Sequence, residues 1–180
     1  MNFTETPLEG SWLIGLDRHA DERGYFARIY CEETFSKRLL VSHWPQINLS
    51  QSLRRGTVRG MHFQLEPHAE TKLVRCVRGA IFDVIVDLRR DSPTRHRWFG
   101  TELTAANGQA LYIPSGFAHG FQCLEEDCGV LYHMSEPYEP TAAKGLRWDD
   151  PDLGISWPLP DLARVGPRDA SLPTLRDTFE

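Results

Sequence analysis

The stretch from Arg59 to Lys72 contains the residue types that proton-transfer chemistry needs, an arginine, a histidine and a lysine around a glycine. Side chains alternate between the two faces of a β-strand, so His62 and Gln64 share one face. Lys72 begins the next β-forming run, and we expect its ammonium group to lie across the same cavity. A base beside a cation can move a proton of a bound molecule, provided that the rest of the chain binds that molecule and excludes water.

The rest of the chain must therefore build a cavity, and its pattern is almost entirely that of short β-strands separated by turns. One helix is predicted in the first half, over Glu32–Leu40, with Phe35, Leu39 and Leu40 on one side. Asn107-Gly108 predicts a hairpin turn. The predicted strands are Gly10–Arg18, Tyr25–Tyr30, Gln46–Ser50, Val58–Gln64, Lys72–Val77, Ala80–Leu88, Trp98–Leu103, Gln109–Ile113, Phe117–Leu124 and Gly129–Met134.

This strand pattern predicts an all-β sandwich or barrel, and a barrel of about eight strands is wide enough for one small ligand. The length of 180 residues favours a single domain over residues 1–180. Beyond Pro137 the chain is rich in Pro, Trp and Asp, which indicates an irregular C-terminal covering segment. In the strand Ala80–Leu88, Asp83 faces away from Phe82 and Val84, so its carboxylate is a candidate for the cavity.

Composition excludes several classes of protein. A net charge of −5 argues against a nucleic-acid-binding surface. No apolar run approaches the roughly 20 residues that span a bilayer, and the N-terminus has no signal-peptide pattern. The four cysteines lack C-x-x-C spacing, so we expect reduced thiols in a cytoplasmic protein.

The run from Gly108 to His119 has the spacing G-x5-P-x-G-x2-H, which resembles the second sequence motif of cupins, a class of jelly-roll barrels. The first motif of metal-binding cupins contains H-x-H, whereas His62 is followed here by Phe63 and Gln64. Catalytic metal sites usually need three protein ligands. We therefore expect a barrel without a bound metal or other cofactor.

A closer resemblance, from about Asp21 to Pro158, is to the dTDP-4-dehydrorhamnose 3,5-epimerase family of the cupin superfamily. The similarity is specific because long motifs match in register. The matching motifs are D-E-R-G-Y-F (21–26), Q-x-N-x-S (46–50), G-T-V-R-G-M-H-F-Q (56–64), K-L-V-R-C-V-R-G-A-I-F-D-V-I-V-D-L-R (72–89), S-P-T (92–94), I-P-S-G-F-A-H-G-F (113–121), L-Y (131–132) and W-D-D-P-x-L-G-I-x-W-P (148–158).

The resemblance implies a reaction that inverts the carbons on either side of the C4 ketone of a nucleotide-linked 6-deoxyhexose. Removing a hydrogen beside a ketone gives an enolate, so inversion needs a base, an acid on the opposite face and a stabilised oxygen. By resemblance, His62 is the base, Asp169 is its carboxylate partner, Tyr132 is the acid, and Lys72 lies near the ketone. The resemblance also implies a homodimer in which Arg23 reaches the neighbouring site.

Other residues match positions that bind the substrate. Guanidinium groups suit phosphate oxygens, and amides or a tyrosine ring suit a pyrimidine base. By resemblance, Arg23 and Arg59 bind the diphosphate, Arg168 lies near it, Gln46, Asn48 and Tyr138 contact the nucleoside, and His119 lies beside the sugar.

Two positions depart from the family pattern, because Arg28 and Ala143 stand where the family usually has glutamate. Exchanging Glu for Arg reverses the charge and replaces acceptors with donors. These departures leave open which nucleotide is bound and whether C3, C5 or both are inverted. Three alternatives remain: a mono-epimerase acting on another nucleotide sugar, a sugar-nucleotide-binding cupin without catalysis, and a metal-dependent cupin enzyme.

Overall fold

The computed structural model describes residues 1–179, and strands dominate it. In these residues the helices are α1 (Glu32–Ser36), α2 (Pro167–Ala170) and α3 (Leu175–Phe179), with a 3₁₀ turn at Pro160–Leu162. The strands are β1 (Asn2–Glu5), β2 (Trp12–Gly15), β3 (Arg18–Asp21), β4 (Gly24–Ala27), β5 (Gln46–Ser52), β6 (Thr57–Gln64), β7 (Lys72–Arg78), β8 (Ala80–Asp87), β9 (Trp98–Thr104), β10 (Ala110–Ile113), β11 (Phe117–Cys123), β12 (Cys128–Met134), β13 (Ala143–Gly145) and β14 (Arg164–Val165).

Two large sheets carry all of these strands except β3 and β4, and the pairing in the described residues is almost entirely antiparallel. The first sheet has the order β1-β2-β10-β7-β12-β5, and the second has the order β13-β6-β11-β8-β9 with β14 parallel to β6. From β5 to β12 consecutive strands lie in different sheets, except that β8 and β9 pair in the second sheet, and this arrangement is typical of a jelly roll. The predicted all-β, cupin-type fold is therefore confirmed.

The interior between the sheets is apolar at one end and open at the other. Strand β8 shows how the layers are built, because Ile81 and Ile85 belong to the interior cluster while Val84 and Val86 belong to a cluster on the outer face. Both faces of this strand are buried, as expected for a strand that is covered on both sides. Asp83 shares the inward face with Ile81 and Ile85, as the alternation predicted.

Covering segments bury the outer faces of both sheets. Phe35 of α1 is fully buried against the first sheet, and burying one such ring contributes about 1.5–3 kcal/mol. The C-terminal segment contributes Leu146, Trp157 and Leu175 to the cluster on the second sheet. This covering segment also brings α2 to the open end of the barrel, where it contacts β6.

The first helix is shorter than its sequence pattern predicts. It ends at Ser36, and Leu39 has a φ of +58° and is 95% exposed whereas Phe35 is buried, so the prediction that Leu39 shares the side of Phe35 is wrong. The backbone N–H of Leu40 donates to the carbonyl of Phe35 at 3.1 Å, which closes the helix with a left-handed residue. This turn redirects the chain so that Leu40 packs beside Phe35.

The predicted hairpin at Asn107-Gly108 is also wrong, because β9 and β10 lie in different sheets. The Asn107 side-chain oxygen accepts from the backbone N–H of Thr104 at 3.1 Å and of Gln109 at 3.0 Å, so a tight turn does form. Burial of β10 between β2 and β7 decides its pairing, and the turn carries the chain across the barrel.

The first two predicted strands are bounded differently from the expectation. Gly10–Arg18 is interrupted, with β2 ending at Gly15 and β3 beginning at Arg18. Asp21 ends β3 and Gly24 begins β4, so the turn predicted there joins a real but separate two-stranded hairpin. This β3–β4 hairpin is largely exposed in the single chain.

Candidate active site

A cavity of about 800 Å³ opens between the two sheets at the end covered by α2. Strands of both sheets contribute to its wall, together with the residues just before and within α2. It contains most of the predicted site residues, namely Gln46, Asn48, Arg59, His62, Lys72, His119, Tyr132, Tyr138, Arg168 and Asp169. The sequence therefore identified the wall of one real cavity.

The His62 imidazole and the Asp169 carboxylate form a hydrogen-bonded pair. Nε2 of His62 lies 2.8 Å from Oδ1 of Asp169, although the two residues are 107 positions apart. The other oxygen, Oδ2, accepts the backbone N–H of Gly60 at 3.1 Å. An ionised carboxylate only accepts hydrogen bonds, so Nε2 carries the ring proton and Nδ1 is left with a lone pair. Since the His62 side chain is 40% exposed, a ligand can reach the ring.

The hydrogen bonds to Asp169 keep it ionised. Burial by itself raises the pKa of this carboxyl, but the hydrogen bonds from His62 and from the Gly60 N–H outweigh burial. The pKa of Asp169 consequently lies below its ordinary value. The carboxylate can therefore fix the tautomer of the imidazole and stabilise the imidazolium that forms when Nδ1 takes a proton.

Gly60 shapes the strand that carries the base. Its φ is +125°, and a Cβ at this position would lie 2.5 Å from Cα of Gly120, so only glycine fits. The register between β6 and β11 shifts here, between His119 opposite His62 and Phe121 opposite Arg59. As a result, Arg59 and His62 both line the cavity although regular alternation would put them on opposite faces.

Tyr132 presents a phenol to the same cavity from β12, in the opposite sheet. Burial raises the pKa of this phenol well above its ordinary value, and the negative charge of Asp83 raises it further. The phenol therefore holds its proton at neutral pH, which suits an acid that protonates carbon. Its ring lies 6.0 Å from the His119 ring, centroid to centroid, in an edge-to-face arrangement.

His119 forms a second histidine–aspartate pair next to the first. Its Nε2 lies 2.8 Å from Oδ1 of Asp83, and the two side chains are 5% and 0% exposed. Within residues 1–179, Oδ2 of Asp83 is buried without a hydrogen-bond partner. The question that the sequence left open for Asp83 is therefore answered, because its carboxylate bonds His119 and not His62.

Lys72 lies on the floor of the cavity with two partners. Its ammonium group is 2.9 Å from Oε1 of Glu70 and donates to the backbone carbonyl of His62 at 3.0 Å. Sequence reasoning missed Glu70, which also lines the cavity. The available signal was its position two residues before Lys72, since residues i and i+2 of an extended chain share a face.

The residues predicted to bind the nucleotide also line this cavity, except Arg23. Arg59 donates through Nε to the Ser52 hydroxyl at 3.0 Å and through Nη2 to a backbone carbonyl. The side-chain oxygen of Gln46 accepts the backbone N–H of Tyr138 at 3.1 Å. Tyr138 is 54% exposed, so its ring is available for stacking at the entrance.

Arg23 and Arg28 lie outside this cavity in the single chain. The Arg23 side chain is 84% exposed at the tip of the β3–β4 hairpin and forms an ion pair with Asp21 at 2.6 Å. Arg28 lines a separate cavity of about 230 Å³ with residues of the N-terminus, β3, β4 and α1. Ala143, the other departure from the family pattern, lines the main cavity.

No group of three or more His, Cys, Asp or Glu side chains in residues 1–179 is arranged to hold a metal ion. His62 and His119 face each other across β6 and β11, but each ring already bonds a carboxylate. His62 and His119 therefore each form a histidine–aspartate pair, and both histidines line the same cavity.

Comparison with known proteins gives a consistent result over nearly the whole chain. The sequence pattern of the family described as dTDP-4-dehydrorhamnose 3,5-epimerase matches residues 5–177. A dTDP-4-dehydrorhamnose 3,5-epimerase from Sinorhizobium fredii is 46% identical over 175 residues, which cover 97% of this chain and 90% of that protein. A dTDP-4-dehydrorhamnose 3-epimerase from Streptomyces niveus is 40% identical over 170 residues, 94% of this chain and 81% of that protein.

A solved structure agrees with these sequence relatives. The crystal structure of dTDP-4-dehydrorhamnose 3,5-epimerase from Elizabethkingia anophelis superposes with a TM-score of 0.96 at 36% identity. The alignment covers 100% of this chain and 99% of that one. The similarity therefore includes the covering segments and α2 as well as the barrel.

Proposed function

The chain belongs to the dTDP-4-dehydrorhamnose 3,5-epimerase family, and from this premise we propose that it inverts C3, C5 or both in a nucleotide-linked 4-keto-6-deoxyhexose. The reaction is an isomerisation in deoxysugar biosynthesis and proceeds by proton transfer without a redox cofactor. The observation that carries the proposal is a pair of proton-transfer groups on opposite sheets of one cavity. These groups are the open Nδ1 of His62 and the protonated phenol of Tyr132.

The first step uses the His62–Asp169 pair. Nδ1 of His62 takes the proton from a carbon beside the C4 ketone, and the electron pair of that C–H bond moves to the ketone oxygen. Asp169 stabilises the imidazolium through Nε2. The enolate oxygen receives a hydrogen bond from the Lys72 ammonium, and such an interaction is strong where water is excluded.

The second step uses Tyr132. Its phenol gives a proton to the carbon from the face opposite to His62, and the enolate collapses to the inverted ketone. The proton balance closes when the phenolate regains a proton and the imidazolium loses one to solvent. The partial exposure of His62 supports this return step, because water can reach the ring.

The nucleotide is assigned to the outer part of the cavity. Arg59 and Arg168 supply guanidinium groups for the diphosphate, while Gln46, Asn48 and Tyr138 surround the nucleoside. His119 lies beside the sugar, where it orients the ketone or the phenol. Ala143 lines this wall at a position where the family usually has glutamate, so the wall has one carboxylate fewer. That the nucleotide is dTDP is therefore itself a part of the proposal.

Incubation with dTDP-4-keto-6-deoxyglucose in deuterated buffer, followed by NMR, tests the proposal. Deuterium at C3 and C5 supports double epimerisation, and deuterium at one carbon supports mono-epimerisation. Tyr132→Phe serves as a diagnostic variant, because it retains the base but lacks the acid. We expect this variant to exchange the C–H hydrogen while it forms inverted product at least about 10²-fold more slowly.

Two outcomes would favour other functions. Saturable binding of the sugar nucleotide without any exchange would identify a binding module. Exchange that stops after treatment with a chelator and returns with a stoichiometric transition metal would identify a metal-dependent cupin enzyme. The wild-type protein with dTDP alone provides the control for nucleotide binding in both assays.

A homodimer completes the proposal, and the exposed apolar residues of the single chain support it. Tyr25 and Phe26 of the β3–β4 hairpin are 52% and 76% exposed, and Ile47 and Leu49 on the edge strand β5 are 57% and 68% exposed. Exposed apolar side chains on a hairpin and on an edge strand favour contact with a partner. In this arrangement Arg23 of each hairpin reaches the cavity of the other subunit and binds the diphosphate.

Subunit complementation tests this role of Arg23. We expect Arg23→Ala and His62→Ala homodimers to be nearly inactive separately. If Arg23 acts on the neighbouring site, refolding them together as an equal mixture restores about a quarter of the wild-type sites, because half of the dimers are mixed and each has one intact site. Mixing restores nothing if Arg23 acts within its own chain.

The proposed compartment is the cytoplasm. None of the helices in residues 1–179 is long and apolar enough to cross a bilayer. Cys31, Cys76, Cys123 and Cys128 are free thiols. Unpaired cysteines in an enzyme that acts on nucleotide sugars support a reducing compartment.

A further inference from the structure

Glu70 and Lys72 form a buried ion pair, of which the proposed reaction assigns a role only to Lys72. The side chains of Glu70 and Lys72 are 4% and 7% exposed, and the carboxylate oxygen lies 2.9 Å from the ammonium nitrogen. The chain offers a matched surface pair, Glu33 and Lys37, at 2.6 Å with both side chains at least 70% exposed. An exposed pair contributes little, whereas a buried charge depends on its partner.

An inventory of protons shows what the buried pair achieves. A lysine ammonium group has three N–H donors and no acceptor. One donor of Lys72 meets Oε1 of Glu70 and a second meets the carbonyl of His62 at 3.0 Å. Two fixed partners determine the direction of the third N–H. Because Lys72 lines the main cavity, this third donor is the one available to a ligand.

The backbone around Glu70 is held firmly. The N–H of Thr71 donates to the Ser135 hydroxyl at 2.8 Å, and the N–H of Ser135 donates to the Thr71 carbonyl at 3.0 Å. These bonds tie the start of β7 to the end of β12. Within the described residues, Oε2 of Glu70 is buried without a partner, so the carboxylate is kept at this position at a cost in desolvation.

We propose that Glu70 is a positioning residue, which holds the Lys72 ammonium so that its third N–H points at the ketone oxygen of the bound sugar. Glu70 also neutralises the charge of the ammonium group. The enolate oxygen therefore accepts a hydrogen bond from an N–H of fixed direction and not from a mobile cation. The link from Lys72 to the carbonyl of His62 sets the donor and the base at a fixed separation. This inference rests on the proposed function and assigns a role to a residue that does not itself contact the substrate.

NMR of the lysine side chains tests the positioning directly. The chain has three lysines, Lys37, Lys72 and Lys144, so the ¹⁵N-ammonium spectrum is simple. We expect a slowly exchanging ammonium signal that Lys72→Met removes. In Glu70→Gln, which keeps the size of the side chain, its hydrogen exchange should be at least about tenfold faster. The signals of the exposed Lys37 and Lys144 should not change and serve as internal controls.

Kinetics test the consequence for the reaction. Glu70→Gln should lower kcat for deuterium exchange by about tenfold or more, with KM within about threefold, because a misdirected donor affects the enolate more than the ground state. Glu70→Asp keeps the charge and should recover part of the rate. Glu33→Ala removes the matched surface partner and should leave kcat unchanged. In the Lys72→Met background, Glu70→Gln should cause no further loss.

Two results would overturn the inference. One is wild-type hydrogen exchange at Lys72 in Glu70→Gln, and the other is an equal loss of kcat with and without Lys72. These results are distinct from failure of the proposed function, which would appear as absence of substrate exchange in the wild-type protein. The NMR measurement needs no turnover and decides the positioning of Lys72 in that case as well.

Discussion

The protein has two histidine–aspartate pairs whose histidines lie on the neighbouring strands β6 and β11, and the surroundings of the two pairs differ. Both have a 2.8 Å contact between Nε2 and Oδ1. In the His62–Asp169 pair the imidazole is 40% exposed, and both carboxylate oxygens have donors. In the His119–Asp83 pair the side chains are 5% and 0% exposed, and Oδ2 of Asp83 is buried without a donor among residues 1–179.

This difference shows that the same two functional groups can serve different purposes according to access. A base must exchange protons with a ligand and then with solvent, and His62 has an open nitrogen with access to both. The His119 side chain is only 5% exposed, and the charge of its partner Asp83 raises the pKa of Tyr132. One pair is suited to proton transfer, and the other is suited to preparing the acid.

The largest expected effect separates the two histidines by activity. His62→Ala should lower the rate of C–H exchange by about 10²–10⁴-fold, the usual range for loss of a general base. Its melting temperature should change little because the ring is half-exposed. Exchange rates from NMR and a thermal melt provide both measurements. Exchange at the wild-type rate in this variant would remove His62 from the role of base.

The two aspartates should show opposite balances between activity and stability. Asp169→Ala should lower exchange by about 10²-fold, because the imidazole loses the carboxylate that orients it. Asp83→Ala leaves a buried imidazole nitrogen unsatisfied and should cost about 1–3 kcal/mol in the free energy of unfolding. Urea denaturation and exchange rates of both variants test this difference. Equal effects of the two variants on both measurements would contradict it.

A smaller effect concerns the acid. Asp83→Asn removes the charge that adds to burial, so the pKa of Tyr132 should fall while it remains above its ordinary value. Absorbance titration of tyrosinate, with Tyr132→Phe as the reference spectrum, measures this change. A Tyr132 pKa that is unchanged in Asp83→Asn would show that the charge of Asp83 does not act on the phenol.

The smallest effect is the pH dependence that Asp169 contributes to stability. Its pKa in the folded chain is lower than the ordinary value of 3.8, so its contribution to stability is fully present above that value. The contribution is lost as pH falls through the folded-state pKa. The difference in free energy of unfolding between the wild type and Asp169→Asn should therefore shrink below about pH 4. A difference that is constant from pH 6 to pH 3 would contradict this assignment.

Much of the site could be read from the sequence because strand alternation is a local property. His62 and Gln64 share a face, Asp83 lies opposite Val84, and Lys72 begins the next strand, all as the pattern predicts. Matching motifs add the remaining positions of the cavity wall. Glu70 was missed because it lies in a connecting segment, where its spacing of two residues from Lys72 indicates a shared face only if that segment is extended.

The errors share a cause in long-range packing. Asn107-Gly108 forms a turn, but the following strand pairs with β2 and β7 because its apolar side chains are buried there. Arg59 was predicted as a site residue by resemblance and not by strand alternation, and it reaches the cavity because the register shifts at Gly60, where β6 and β11 approach. In each case a local pattern gave the right element and a distant contact decided its neighbour.

The sequence by itself determined most of the strands, the family and the chemical groups, because side-chain alternation and motif residues are encoded within a few positions. Only the tertiary structure decided which groups meet. The fold places Asp169 in hydrogen-bonding contact with His62 across 107 positions. It also pairs Asp83 with His119 and buries the ion pair between Glu70 and Lys72. The physical reason is that the exposure and partners of an ionisable group determine its chemistry, and both are set by segments far away in the chain.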